Sequence, residues 1–168
     1  MKKAIIWILV AVLGAGAGFF LRENVLGLIK VAGDSMSPTL ESGDVVLVTR
    51  YDYIGKAPER GDVVQAEIPG RDGAYLKRVI ALPGETLEIT DGVVHINGQA
   101  LDEKYATAAD DGISVTLGGD EYFLMGDNRP ESYDSREEDF GAVRAGNFLG
   151  RVRAVVWPPS RIGGIAGQ

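Results

Sequence analysis

Ser35 lies in a short polar segment whose composition suits an exposed nucleophile. Residues 33–40 read Gly-Asp-Ser-Met-Ser-Pro-Thr-Leu. Glycine before the serine and proline after it favour a sharp bend, which exposes a side chain together with backbone N–H groups. Such N–H groups can hold the oxyanion that forms when a hydroxyl attacks a carbonyl carbon. The same composition also fits an ordinary turn in which Ser35 and Asp34 hydrogen-bond to their own backbone.

Lys77 is the residue that could serve such a hydroxyl as a base. Alternation in its predicted strand puts Tyr75 and Val79 on the same, partly apolar face. Burial of that face would disfavour the ammonium form and lower the pKa of the lysine. A base for neutral pH needs that pKa to fall from about 10.4 to about 7.4, which costs about 4 kcal/mol. The alternative is an edge strand on which Lys77 and Arg78 are both solvated.

A third segment, residues 126–136, packs acids, cations and hydroxyls into one short loop. Its sequence is Gly-Asp-Asn-Arg-Pro-Glu-Ser-Tyr-Asp-Ser-Arg. Such a run can form ion pairs and hydrogen bonds that orient a site, although by itself it also fits a solvated loop. Together the three segments supply a serine, a lysine and an orienting loop, which is the composition of a Ser–Lys dyad.

The residues that the sequence lacks narrow the chemistry further. There is no cysteine, which excludes disulfides, thiolate zinc sites and a cysteine nucleophile. The single histidine, His95, lies in a predicted hairpin far along the chain from Ser35, so we expect a partly exposed strand residue and not a triad or metal ligand. The net charge of −7 disfavours nucleic-acid binding. We therefore expect no cofactor, no metal and no nucleic acid.

The elements that must position these side chains are predicted to be short antiparallel strands. Asp-Gly and Asn-Gly dipeptides, which favour two-residue hairpins, recur between runs rich in β-branched residues. This pattern, with few helical stretches, predicts an all-β fold. The tail at residues 158–164 is predicted to be a loose end. The predicted strands are 44–50, 62–68, 74–81, 86–90, 93–96, 113–117, 121–125 and 148–157.

The segment from Ala4 to Leu21 contains no charged residue. As a helix rising about 1.5 Å per residue it would span roughly 27 Å, close to the hydrocarbon thickness of a bilayer. Lys2 and Lys3 precede it, so the positive-inside rule places the N-terminus in the cytoplasm and the rest of the chain outside. The motif at residues 15–17, Ala-Gly-Ala, also fits the cleavage site of a removable signal peptide. Either reading sends the body of the protein across the membrane.

Taken in order, these segments resemble the signature boxes of the type I signal peptidase family. The order of the boxes, the N-terminal segment and the closing Trp157-Pro158 cover most of the chain. Gly33 stands where some members have a serine, and Ala81 stands where a glycine is common. The boxes are Ser35-Met36-x-Pro38-Thr39-Leu40, Arg60-Gly61-Asp62-Val63-Val64, Lys77-Arg78 with Leu82-Pro83-Gly84-Glu85, and Gly126-Asp127-Asn128-Arg129 with Ser132, Asp134, Ser135 and Arg136.

The resemblance implies a membrane-bound serine endopeptidase that removes signal peptides from secreted preproteins through an acyl-enzyme. Ser35 would be the nucleophile, Lys77 its general base, and Ser132 the residue that holds the lysine amine. With Gly33 in place of a hydroxyl, the oxyanion hole would rely on backbone, chiefly the N–H of Ser35. The supporting ion-pair network would consist of Arg78, Asp127, Asp134 and Arg136, and the wall of a shallow pocket admitting alanine would include Leu40 and Leu76.

The implied fold is a signal-peptidase-like arrangement of antiparallel sheets behind one N-terminal transmembrane helix. Residues 1–22 would form the cytoplasmic N-terminus and the anchor, and residues 23–168 the extracytoplasmic peptidase domain. The segment between the last two boxes is short, so residues 86–120 should form a reduced, cap-like insertion of one or two hairpins. The lipid bilayer and preprotein signal peptides are the expected partners.

Three alternatives share parts of this pattern. A self-cleaving Ser–Lys protein of the SOS-repressor type uses the same chemistry, but the apolar N-terminal segment and the lack of a DNA-binding helix pair argue against it. A specialised, signal-peptidase-like maturation enzyme for one secreted substrate is closer. A membrane-tethered β-domain that only binds peptides would require the segments around Ser35 and Lys77 to be incidental.

Overall fold

The computed structural model describes residues 26–53, 55–108 and 112–165, together with Lys3, Ile6, Trp7, Val10, residues 12–16 and Gly18. These N-terminal positions are helical and exposed. The predicted membrane segment from Ala4 to Leu21 lies largely outside the described residues. Among the positions that are described, no helix combines the length and the apolar character needed to cross a membrane.

Short antiparallel strands make up the described body of the chain. The all-β fold predicted from the sequence is confirmed, and every predicted strand is present with bounds that agree to within one residue. The strands are β1 Leu26–Lys30, β2 Val45–Thr49, β3 Val63–Glu67, β4 Ala74–Ala81, β5 Thr86–Thr90, β6 Val93–Ile96, β7 Gln99–Ala100, β8 Ile113–Thr116, β9 Glu121–Met125, β10 Val143–Arg144, β11 Phe148–Trp157 and β12 Gly163–Gly164.

Two sheets share these strands. The larger has the order β1-β2-β11-β3-β4-β9-β10, with β12 pairing β11, and the smaller has the order β7-β6-β5-β8. Apolar residues of the small sheet, among them Leu87 and Val94, pack against Ile80 of β4 and Met125 of β9 in one buried cluster. The small sheet therefore packs against the residues of β4 that follow the Lys-Arg pair and against the neighbouring part of β9. Its strands fall within residues 86–120, where a cap-like insertion is predicted.

Strand β4 has a different partner on each part of its length. Residues 74–78 pair with β3, whereas β9 pairs with residues 78–81. On the β9 side, residues 74–77 thus have no strand partner within the described chain. This unpaired edge ends at Lys77.

His95 lies on the small sheet as expected, half-buried on the face opposite Val94 and Ile96. Its Nδ1 is 3.2 Å from the carbonyl oxygen of Val93. The prediction of a partly exposed strand histidine is confirmed.

The prediction of a loose end at residues 158–164 is wrong. Pro159–Arg161 form a 3₁₀ turn, and β12 pairs with Ala154 and Val155 of β11. The Nε of Arg161 donates to Oδ1 of the buried Asp44 over 3.0 Å. Strand β12 consists of two glycines that pair only through their backbone, so no alternation of apolar and polar side chains marks it in the sequence. Gly27 interrupts β1 in the same way, and that strand was not predicted.

Candidate active site

The nucleophile segment is a compact turn held down at two positions. The N–H of Ser37 donates to the carbonyl of Asp34 over 3.1 Å, and that of Leu40 donates to Met36 over 2.9 Å. Met36 and Leu40 are both fully buried in the cluster that includes Val46 and Val48 of β2. Because these two side chains anchor the turn, Ser35 beside them remains half-exposed at its tip.

Lys77 reaches Ser35 from β4. Its Nζ lies 2.8 Å from Ser35 Oγ, and only 3% of the lysine is exposed. Burial lowers the pKa of Lys77 to about 8, with Arg136 adding to the effect and the carboxylates of Asp134 and Asp127 opposing it. Near pH 8 a large share of the amines is therefore neutral. A neutral amine at this distance can accept the proton of the Ser35 hydroxyl.

Arg78, the next residue, is equally buried but paired. Its Nε and Nη2 donate to the two carboxylate oxygens of Asp127 over 2.8 and 2.7 Å. Its Nη1 donates to the carbonyl of Gly61 over 2.8 Å, and its guanidinium lies 3.9 Å from the ring centroid of Tyr105. Thr39 of the nucleophile segment donates its hydroxyl to the same Asp127. This bidentate pair joins β4, the nucleophile turn and the 126–136 loop.

A second ion pair braces the 126–136 loop from within. Arg136 Nε donates to Asp134 Oδ1 over 2.8 Å, and its Nη2 donates to the carbonyls of Arg129 and Ser132 over 2.6 and 3.0 Å. The backbone N–H of Gly126 donates to Asp134 Oδ2 over 2.9 Å. Asp134 is thus bonded to both ends of the loop, and it fixes the shape of the segment that follows β9.

Gly126 marks the place where this loop meets the nucleophile. A Cβ added there would overlap the carbonyl oxygen of Ser35 and the hydroxyl of Ser132. Two residues on, Asn128 donates its N–H to the carbonyl of Ser35 and its side-chain amide to that of Asp34, each over 3.1 Å. Glycine is required at position 126 because only a residue without a side chain allows this approach.

Ser132 lies at this junction without the hydrogen bond expected of it. Its hydroxyl is buried, and no hydrogen-bond partner for it exists among the described residues. The amine of Lys77 lies against Ser35 instead. A buried hydroxyl without a partner costs about 1–3 kcal/mol, so Ser132 offers an acceptor that this conformation leaves unused.

A cleft of about 350 Å³ runs from the Ser35–Lys77 contact along the unpaired edge of β4. Leu76, which the family resemblance places in a substrate pocket, is one of the residues along it. Leu40 does not line the cleft and is fully buried in the core beneath the turn; Met36, although it packs in the same core, borders the cleft in its place. The cleft is lined by residues 29–33, Ser35, Met36 and residues 72–77.

Several side chains at the site were not assigned a role from the sequence. Thr39 and Arg129 lie inside two of the predicted boxes, and their position among the candidate site residues is a signal by which they could have been identified. Glu103 and Tyr105 lie between β7 and β8, outside every motif, yet they contact Arg129 and Arg78. Within the described part of the chain, no group of three or more acidic or histidine side chains is arranged to hold a metal ion.

Comparison with known proteins gives consistent matches. The family model described as signal peptidase, peptidase S26, matches residues 2–157. A signal peptidase I of Leptolyngbya laminosa is 37% identical, over 85% of this chain and 74% of that protein. Signal peptidase I S of Bacillus subtilis (strain 168) is 34% identical, over 94% and 91%. The crystal structure of a signal peptidase I from Enterococcus faecalis V583 superposes with a TM-score of 0.51 at 32% identity, covering 57% of this chain and 97% of that chain.

Proposed function

The chain belongs to the signal peptidase family, peptidase S26, and from this we propose that it is a membrane-bound serine endopeptidase with a Ser35–Lys77 dyad. Membership makes it a peptidase, and hence a hydrolase, and supports removal of signal peptides from preproteins as its reaction. The observation that carries the dyad is the 2.8 Å approach of a buried lysine amine to Ser35 Oγ. A lysine in that setting can be neutral at physiological pH, which is what a general base requires.

The reaction proceeds through an ester on Ser35. Lys77 takes the hydroxyl proton while Oγ bonds to the scissile carbonyl carbon, and the oxyanion that forms is stabilised by backbone N–H, chiefly that of Ser35. When the C–N bond breaks, the Lys77 ammonium returns its proton to the leaving amine. A water then attacks the acyl-enzyme, with Lys77 again accepting a proton, and the free serine is restored.

Ser132 holds the lysine during this cycle. Once Lys77 is protonated, its ammonium has three donors in a buried site and needs acceptors. The unpaired hydroxyl of Ser132, packed beside Gly126 and the backbone of Ser35, supports this role. The ion pairs of Asp127 with Arg78 and of Asp134 with Arg136 keep the surrounding loop in place and take no part in the proton transfers.

The substrate binds as an extended peptide in the cleft. The unpaired edge of residues 74–77 supports pairing by main-chain hydrogen bonds, as in other cases of β-strand addition. Met36 and Leu76 lie in the wall of the cleft, and in this proposal they bound the pocket that receives small residues such as alanine. Small residues just before the scissile bond are therefore the expected requirement.

The segment from Ala4 to Leu21 anchors the enzyme in the membrane by a single pass, with the N-terminus in the cytoplasm and the peptidase domain on the extracytoplasmic side. Support comes from its uncharged sequence after Lys2 and Lys3, and from the exposed helical side chains of Trp7 and Leu13. An anchor raises the effective concentration of the site where signal peptides emerge. The alternative of a removable signal peptide is distinguished by the mass of the mature protein.

Cleavage of a preprotein by the detergent-solubilised full chain tests the proposal. We expect a cut after an Ala-x-Ala sequence, mapped by mass spectrometry, and its loss in Ser35→Ala and Lys77→Ala while circular dichroism stays unchanged. Lys104→Ala is the matched control, because that lysine is 88% exposed. Full activity in Lys77→Ala would contradict the dyad. A serine-reactive probe that fails to label Ser35 would favour a peptide-binding domain instead.

A further inference from the structure

The segment from Glu103 to Thr107 links the small sheet to the nucleophile, although it lies in no sequence motif. It follows β7, precedes β8 and contacts the 126–136 loop. Three of its residues contact that loop or Arg78, namely Glu103, Tyr105 and Thr107.

Glu103 forms the central contact. Its carboxylate accepts from Arg129 Nη2 over 2.5 Å and from Nη1 over 3.2 Å, and the two side chains are 10% and 1% exposed. The same guanidinium donates through Nε to the carbonyl of Gly126 over 2.8 Å. Gly126 in turn packs directly against the carbonyl oxygen of Ser35. A continuous chain of contacts therefore runs from the small sheet to the backbone of the nucleophile.

Two neighbouring residues act on the same junction. The hydroxyl of Tyr105 donates to Glu103 Oε1 over 3.1 Å, while its ring lies against the guanidinium of Arg78. Thr107 donates its N–H to the carbonyl of Asp127 over 3.0 Å, and its hydroxyl accepts from the N–H of Arg129 over 2.9 Å. These bonds hold the residues on both sides of Asn128, whose N–H donates to Ser35.

We propose that Glu103 is a positioning residue for Ser35, acting through Arg129 and Gly126. The inference rests on the proposed function of Ser35 as the nucleophile. Removing the charge of Glu103 leaves a buried guanidinium without its carboxylate, so Arg129 turns away and releases the carbonyl of Gly126. A displacement of the nucleophile by about 1 Å can cost about a hundredfold in rate. Glu103, Arg129 and Gly126 do not line the cleft, so we expect substrate binding to be unaffected.

The test compares Glu103→Gln with Asp102→Asn in the full-length protein. Asp102 provides a matched control, since its contact with Lys104 in the same segment is 3.3 Å long and its side chain is 76% exposed. We expect kcat of Glu103→Gln to fall about 10- to 100-fold with KM unchanged within about twofold. Asp102→Asn keeps both constants. Tyr105→Phe, which retains the ring over Arg78, gives a smaller fall in kcat in the same direction and serves if Glu103→Gln does not fold.

Amide hydrogen exchange provides a readout that does not need activity. We expect the amide of Asn128 to exchange faster in Glu103→Gln than in the wild type or in Asp102→Asn, since its bond to the Ser35 carbonyl is weakened. Unchanged exchange at Asn128, or an unchanged kcat in folded Glu103→Gln, overturns the positioning role. Failure of the wild type to cleave any preprotein would instead overturn the proposed function, and the exchange experiment would still decide on Glu103.

Discussion

Lys77 and Arg78 are adjacent basic residues on one strand and are buried to the same extent, but their surroundings differ in the partners they offer a positive charge. Arg78 faces a carboxylate that accepts two hydrogen bonds, a backbone carbonyl and an aromatic ring. Lys77 lies against a serine hydroxyl, and no carboxylate forms an ion pair with it in the described chain. Strand alternation separates the two environments by turning neighbouring side chains to opposite faces. One position keeps its charge and braces the fold, while the other can lose its charge and do chemistry.

Replacing Lys77 with arginine gives the largest expected effect. Lys77→Arg keeps a positive charge on a long side chain, but a guanidinium does not deprotonate in proteins. If Lys77 acts by giving up its proton and serving as a base, kcat/KM should fall by about 10⁴-fold in this variant, as measured by cleavage of an Ala-x-Ala peptide. A variant that keeps more than a tenth of the wild-type activity would mean that the charge, not the base, matters at this position.

The substitution Asp127→Asn removes the negative charge that pairs with Arg78. It leaves Arg78 buried with a neutral acceptor, and breaking a buried pair in this way costs about 3–5 kcal/mol. The free energy of unfolding from urea titration measures the loss. Asp102→Asn, at an exposed pair, should change it by less than about 0.5 kcal/mol. Equal losses of unfolding free energy in the two variants would mean that the buried Arg78 depends on its carboxylate no more than a surface lysine does.

Lys77→Met should stabilise the protein at low pH. Burial lowers the folded-state pKa of Lys77 from 10.5 to about 8, so below pH 8 the folded protein carries an ammonium that costs about 3 kcal/mol. Stability of the wild type rises with pH between 8 and 10.5, where the unfolded chain binds more protons. The gain in the free energy of unfolding should therefore be largest near pH 6 and vanish by about pH 10.5. A gain independent of pH would point to packing alone.

The pH dependence of activity gives the smallest effect. In the proposed mechanism the neutral amine is the active form, so kcat/KM should rise with pH through a midpoint near 8, by about tenfold between pH 7 and pH 9. Arg71→Lys, which keeps the charge that pairs with Asp139, should leave the midpoint unchanged. A profile without a rise in this range would show that Lys77 is not the group that titrates.

Much of this arrangement could be predicted from the sequence, because strand alternation and turn dipeptides are local signals. These local signals predicted the strand that contains Lys77 and the face on which its side chain lies. The order of the boxes predicted that Ser35, Lys77 and the 126–136 loop form one site. Burial of Lys77 and Arg78 could not be predicted, since it depends on residues distant in the chain: Ser35 lies against Lys77, whereas Asp127 and Tyr105 lie against Arg78. Glu103 was missed for a similar reason, as its partner Arg129 lies 26 residues away and no local pattern connects them.

In the binding mode we propose, the strand edge at residues 74–77 pairs with the main chain of the substrate, and main chain is the same in every peptide. A site of this kind gains much of its affinity from groups that do not vary, so it discriminates only at the one or two positions whose side chains meet the walls. Such an enzyme tolerates great diversity among its clients, and a folded protein escapes it because its own strands are already paired. Selectivity then depends less on which residues a client carries than on whether a stretch of it is presented unfolded.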